Sequence, residues 1–304
     1  MTKSEYIGNI DTLVILPCHS IYKRVPTNDT ISRKELSQDE PGPGFDEKDW
    51  ELAPFQYEAH DHLFFIKHIY ASYEYLLQHK ANSVLVLSGG YTKDSQKELS
   101  ESLSYLNVAK MRGLIPLDYE NTFENGKLLL EDRARDSYEN VVFSLIKFRE
   151  LIDKYPKKIV IVGLEFKRFR FIEQHLKVLQ FPVTDIEYIG IGPEYPENIE
   201  NLPLEKYQER KDFYFKDLEE SEEKFARSPF SKFWFGEVGS GLYTKKSKRD
   251  PFDLGFKNYE DVVNTKNQIK GDSAMLSLMK CSELSTEEAR SLYDQECKDK
   301  FAWC

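Results

Sequence analysis

Short, continuously apolar runs alternate along this chain with longer amphipathic stretches. Thr12–Leu16 (TLVIL) closes on Pro17, and a run with no polar alternation suits a strand buried on both faces. Ser83–Leu87 (SVLVL), Lys158–Val162 (KIVIV) and Asp185–Ile191 (DIEYIGI) repeat the pattern, and Ile115–Tyr119 is a weaker candidate. Between them, Phe55–Lys80 places Leu63, Ile66, Ile69, Tyr73 and Leu76 at roughly helical spacing. Leu99–Met111 and Lys167–Leu179 are further helix candidates. In Ser137–Tyr155 a single stripe carries Val141, Leu145, Phe148 and Ile152. Asp136 can cap that helix while Glu139 bonds back to it, a capping box. Strands alternating with helices in this way predict a three-layer α/β fold, with a mostly parallel sheet and helices on both faces.

Three stretches depart from the alternation. Thr27–Trp50 is polar, contains Pro41-Gly42-Pro43-Gly44, and reads as an insertion at about residues 27–50, either a functional lid or a flexible excursion. Leu202–Ala226 is heavily charged and helix-prone, the pattern of a solvated outer helix. From Lys245 the chain changes character, with a helix expected over Thr286–Lys298. These features divide the chain into an α/β domain over residues 1–240 and a C-terminal extension, 241–304, packed on it.

Composition then narrows the class. The 304 residues carry 42 Lys and Arg against 52 Asp and Glu, a net charge of −10, which argues against bulk attraction to nucleic acid or anionic lipid. No apolar run approaches the roughly 18 residues of a membrane span. MTKSEYIGN has no secretory or mitochondrial character, and Cys18, Cys281, Cys297 and Cys304 show no CxxC spacing. The expectation is a soluble, cytoplasmic protein without a structural metal.

In an open parallel sheet, ligands bind beyond the carboxyl ends of the strands, so the residues following each run are the ones to read. They are Pro17-Cys18-His19, Ser88-Gly89-Gly90, Glu131 to Ser137, and Gly163 to Arg170. Gly89 and Gly90 lack side chains, so their amides could approach an anion, although such a pair also makes an ordinary turn. Arg133 and Arg135 could bind an anion bidentately just before a helix N-terminus, and Asn140 in the first turn either faces the crevice or fixes a loop. Lys167 and Arg170 share a helical face at a helix start, where cations oppose the dipole unless an anion accompanies them. Five of the six histidines precede residue 80, with no HExxH, so a metal site is not expected. Cys18 and His19 are adjacent on an extended segment and point apart, a poor nucleophile–base pair. GxGxxG, GxxxxGK[ST] and GxSxG are all missing.

Taken in order, these segments resemble the domain-of-unknown-function family that includes bacterial YdcF, SanA and ElyC, over about residues 10 to 192. Ser88, Gly89 and Gly90 match its Ser-Gly-Gly, Ser100 and Glu101 its Ser-Glu pair, and Glu131, Ser137, Glu139 and Asn140 its Glu-x-x-x-x-x-Thr-x-Glu-Asn motif with Ser for Thr. Phe166 and Arg170 match a later aromatic and Arg, whereas Lys167 stands at the family's His and Pro17-Cys18-His19 replaces a Gly-rich turn. The resemblance implies a Rossmann-like domain and a nucleotide-type ligand, with S-adenosylmethionine suggested by its attribution to a family member. Three functions follow as expectations. The first is a small anionic or nucleotide-like ligand held by Cys18, His19, Ser88, Gly89, Gly90, Glu101, Arg133, Arg135, Asn140 and Arg170. The second is a phosphoester or related hydrolase with Glu131 as base and Lys167 and Arg170 stabilising charge. The third is a binding or scaffold protein without catalysis.

Overall fold

The computed structural model describes residues 9–27, 32, 34–115, 127–197, 201–254, 259, 263 and 268–304. Five strands, β1 (Thr12–Pro17), β2 (Ser83–Ser88), β3 (Leu128–Glu131), β4 (Lys158–Gly163) and β5 (Ile186–Gly190), form one all-parallel sheet in the order β3-β2-β1-β4-β5. Each connection therefore crosses over a sheet face, and helices occupy those crossovers. Helix α1 (Asp61–Gln78) follows β1, α2 (Glu101–Met111) follows β2 and α3 (Ser137–Ile152) follows β3, while a π-helical segment, Arg170–Leu176, follows β4.

The pleat explains why the strands lack alternation. Leu13 and Ile15 of β1 join Val84, Val86, Ile159 and Ile161 in a core with α3 and the π-helical segment. Val14 and Leu16 join Leu85, Leu87, Val160 and Val162 in a second core with α1 and α2. A strand that feeds two cores has no polar face to show. The fold class expected from the sequence is the one observed. The strand expected at Ile115–Tyr119 falls mostly outside the described residues. The third strand is instead β3, Leu128–Glu131, whose four residues at the sheet edge are too few to reveal a period.

Helix caps follow local chemistry. Asp136 Oδ1 accepts from the Glu139 amide at 2.9 Å, as the sequence predicted. The capping box does not close. The Glu139 carboxylate accepts from the Arg135 amide at 2.9 Å and from its guanidinium at 2.6 Å, because that cation offers a stronger bond than the cap amide.

The insertion is fastened to the second core. The buried Arg112 guanidinium donates to the carbonyls of Ser37, Glu40 and Pro43, and Trp50 is buried with Nε1 donating to Gly44 at 2.8 Å. Beyond β5 come α4 (Leu204–Glu222), α5 (Ser228–Lys232), α6 (Gly241–Lys248), α7 (Asp272–Cys281) and α8 (Thr286–Glu296). Ala274, Met275, Leu278 and Tyr293 from α7 and α8 belong to the same core as α3. There Arg149 meets Asp272 at 3.0 and 3.1 Å, both side chains being buried. Among the described residues no helix is long and apolar enough to cross a membrane.

Candidate functional site

The strand order fixes where a ligand would sit. From β1 the chain runs to β2 and β3 on one side, then returns to place β4 and β5 on the other. The loops leaving β1 and β4 head toward opposite faces, and a crevice opens between them. A cavity of about 730 Å³ occupies this position. Its floor is Pro17, Cys18 and His19 beyond β1 and Phe166, Lys167 and Arg170 beyond β4. One wall comes from the chain after the insertion, including Phe55 and Gln56, and another from Ala134 to Ser137 and Asn140 at the start of α3. Helix α4 roofs it with Tyr214, Leu218 and Glu222, and α6 adds Leu242 and Lys245. The charged stretch read as a solvated outer helix thus turns one narrow face inward, with Tyr214 and Glu222 buried.

The switch point brings His19 and Lys167 together, 148 residues apart in sequence, with Lys167 Nζ 3.3 Å from His19 Nδ1. Gln56 Nε2 donates to the His19 carbonyl at 3.3 Å and the His19 amide donates to the Tyr105 hydroxyl at 3.2 Å, holding the loop. Burial, together with the charge of Arg170, pushes Lys167 down to about 7. Burial and the Lys167 charge keep His19 well below the ordinary histidine range, so it is neutral and can accept from Lys167. Among the described residues, Lys167 has no carboxylate at ion-pair distance. Arg170 has Glu222, its Nε lying 3.2 Å from Oε1. Asp61, at the start of α1, is buried with Oδ1 unpartnered; burial pushes it up to about 7, against the pull of the Lys167 charge. The site therefore holds an incompletely neutralised cation in a protein that is acidic overall.

The structure distributes the sequence-predicted residues unequally. Cys18, His19, Glu101, Arg135, Asn140, Lys167 and Arg170 line the cavity, whereas Ser88, Gly89, Gly90, Glu131 and Arg133 do not. The turn amides are engaged: Gly89 N donates to the Glu131 carbonyl and Gly90 N to that of Ala134, each at 2.9 Å. Glycine is needed there for close packing, since a Cβ on Gly89 would lie 2.8 Å from Glu101 Cβ and 2.9 Å from Cys18 Cβ. Glu131, expected as the base, is fully buried under four donors. Oε2 accepts from Ser88 Oγ at 2.5 Å, and Oε1 from the Arg133 amide at 2.6 Å, the Ala134 amide at 3.0 Å and the Tyr259 hydroxyl at 2.9 Å. Those bonds fasten the ends of β2 and β3 and leave Glu131 behind the cavity wall.

Asn140 fixes a loop at the cavity edge, its Nδ2 donating to the Ser88 carbonyl at 2.8 Å. Arg135 is clasped by Glu139 and by Asp250 at 3.2 Å, and Arg133 lies against Asp132 at 3.3 Å. Cys18 directs its buried thiol to the Leu16 carbonyl; burial and the charges of Glu101 and Glu131 raise its pKa well above the ordinary value, so it is no nucleophile for His19. Glu101 is the cavity carboxylate, raised by burial and accepting from Thr92 Oγ1 at 2.6 Å. Among the described residues no group of three His, Cys, Asp or Glu side chains is placed to hold a metal ion.

One pair escaped sequence reasoning. Ser137 Oγ lies 2.8 Å from Nε2 of His175, the one histidine outside the first 80 residues, which sits fully buried on the π-helical segment. The sequence signalled Ser137 by its position at the mouth of a helix and by its place in the motif with Ser for Thr, and gave no signal for His175.

Fold and site define an α/β protein of Rossmann-like topology with a roofed crevice at its switch point. The chain belongs to the family of the Saccharomyces cerevisiae protein described as "Uncharacterized protein YOR238W". The two are 32% identical over 273 residues, which cover 79% of this chain and 84% of the yeast protein. No family model matches the chain, and no solved structure matches it.

Proposed function

We propose that this protein is YdcF-like and binds a small organic anion of nucleotide size in the crevice, with the anionic group on Lys167 and Arg170. The observation that carries this reading is Lys167: a lysine in a cavity, with His19 as its hydrogen-bond partner and no carboxylate at ion-pair distance among the described residues. A desolvated cation is costly, and an anionic ligand would supply the missing charge. The volume, about 730 Å³, falls within the roughly 300–1,000 Å³ of small-molecule sites. Phe55, Phe166, Tyr214 and Phe225 offer flat apolar walls, and Glu101 with Thr92 offers polar groups for hydroxyls. S-adenosylmethionine, whose carboxylate could meet Lys167 although its sulfonium and ammonium make it a net cation, is the first cofactor to test beside the anionic AMP.

The residues of the YdcF-type motifs support this reading indirectly. Ser88, Glu131 and Asn140 form one hydrogen-bonded fastening that holds the crevice wall in shape. Isothermal titration with AMP, S-adenosylmethionine and inorganic phosphate tests the proposal. Saturable binding that Lys167→Ala weakens about 10- to 100-fold, the worth of a charged hydrogen bond, is expected. Absence of binding at millimolar concentration of all three would defeat it.

A further inference from the structure

Ser137 and His175 carry the inference furthest. Ser137 is the first residue of α3 and lines the cavity, partly exposed to it, whereas His175 behind it is fully buried. The imidazole is held by aromatic edges, with ring centroids 4.5 Å from Phe230, 5.6 Å from Phe171 and 5.9 Å from Tyr138. Its Nδ1 has no hydrogen-bond partner in the described structure, so its polar contact is with Ser137 Oγ, at 2.8 Å. A hydroxyl on a cavity surface, backed at hydrogen-bond distance by an immobile neutral imidazole, is the arrangement of an activated nucleophile. Arg170 lines the same cavity and is close enough to influence the imidazole electrostatically.

We propose that Ser137 is a nucleophile, with His175 as its base, that takes a phosphoryl group from a phosphoester seated on Lys167 and Arg170. The proposal rests on the anion-binding reading of the crevice. In the first step Ser137 Oγ bonds to phosphorus, its proton passes to His175 Nε2, and the phosphorus–oxygen bond to the leaving alcohol breaks. The departing oxygen takes a proton from the Lys167 ammonium. In the second step water attacks the phosphoserine, giving one proton to the neutral Lys167 amine. The phosphorus–Oγ bond breaks, Oγ recovers its proton from His175, and inorganic phosphate leaves.

The electrostatics make the base depend on its substrate. Burial and the charges of Arg170 and Lys246 hold the pKa of His175 well below the ordinary value, so the empty site is a poor base. A phosphoryl dianion between Lys167 and Arg170 offsets those charges and favours the imidazolium. The missing carboxylate of a three-membered nucleophilic group is thus replaced by the substrate's own charge, and Lys167, lowered to about 7, can give and recover a proton near neutrality.

The test uses the full chain and monofluorophosphate, a phosphate-sized dianion that phosphorylates serine as its phosphorus–fluorine bond breaks. Fluoride release is followed by electrode, the acid-quenched protein by peptide mass spectrometry, and inorganic phosphate binding by calorimetry. Fluoride release above the buffer rate, or a phosphoryl group on the Ser137 peptide, is expected, lost in Ser137→Ala and reduced about 100-fold in His175→Gln. Should His175→Gln fail to fold, the comparison of the native chain with Ser137→Ala decides alone. If phosphate binds while fluoride release stays at the buffer rate and Ser137 is unmodified, the nucleophile is refuted and the binding site stands. If phosphate does not bind either, the nucleophile and its phosphoester seat fall, and the anion-binding reading falls with them when AMP and S-adenosylmethionine also fail to bind. Release that survives Ser137→Ala also overturns the assignment.

Discussion

Replacing Glu131 by glutamine separates a structural carboxylate from a catalytic one. Burial pushes the Glu131 carboxyl from 4.5 up to about 7, against the pull of Ser88, the Arg133 amide and the Tyr259 hydroxyl. The fold therefore favours the protonated form. A raised acid contributes stability that is complete below the unfolded value of 4.5 and is lost as pH rises through about 7. At about 1.4 kcal/mol per pH unit the loss is about 3 kcal/mol. Glutamine does not titrate. Its carbonyl can accept from Arg133, Ala134 and Tyr259, and its amide can donate to Ser88 Oγ, which then turns its hydrogen toward the Asn140 carbonyl at 3.4 Å. That rearrangement costs about 1 kcal/mol. Urea unfolding from pH 4 to 8 should show Glu131→Gln weaker than the native chain by about 1 kcal/mol at pH 4, equal near pH 5 and stronger by about 2 kcal/mol at pH 8. Asp61 and Glu101 titrate in both proteins and cancel in the difference. A difference that stays constant across this range would mean that the four donors keep Glu131 ionised, and the reasoning from burial would be refuted.

Other outcomes follow from the same geometry. Gly89→Ala should destabilise the chain by about 1–3 kcal/mol in a urea melt, because its Cβ would meet Glu101 and Cys18 below 3 Å. Asp272→Ala should cost about 3–5 kcal/mol by the same measurement, since it removes from the buried Arg149 a partner at 3.0 Å and from the Tyr155 hydroxyl one at 2.9 Å. Sulfate, whose charge is constant above pH 3, should bind more weakly as pH rises from 6 to 9. Lys167, at about 7 in the free protein, must take up a proton to meet the anion. Calorimetry in buffers of different ionisation enthalpy should register that uptake, and Lys167→Met should reduce both it and the pH dependence.

The sheet was legible in the sequence because its strands feed two cores and so have no polar alternation, a pattern that residues 12–16, 83–87 and 158–162 all show. β3 was not, because four residues at an edge give no period to read. The crevice was legible through the rule that loops after parallel strands gather at one edge, which brought His19, Lys167 and Arg170 to the same place. Depth was not legible. Glu131 ends β3 and Lys167 follows β4, yet one is behind the wall and the other faces the cavity, and side-chain direction near a strand end depends on hydrogen bonds made with distant residues such as Tyr259. His175 was silent for the same reason: its partner is 38 positions away, and a histidine within an apolar helix face looks like core.

The roof helix shows how composition conceals function at a polar site. α4 is charged on most of its circumference, and within it Tyr207, Lys211, Tyr214, Leu218, Ser221 and Glu222 return at three- and four-residue spacing with reduced exposure. A helix that covers an apolar core must present a wide apolar stripe. One that covers a polar crevice need present only about one residue per turn, and two of these, Lys211 and Glu222, are charged. Glu222 then pairs with Arg170 across the cavity, so the contact that holds the roof down also occupies a cation proposed to receive the ligand. An anion arriving at Arg170 competes with Glu222 for the same guanidinium. Weakening that pair by Glu222→Gln should accordingly raise affinity for sulfate, and unchanged or lower affinity would show that Glu222 and the ligand do not share Arg170.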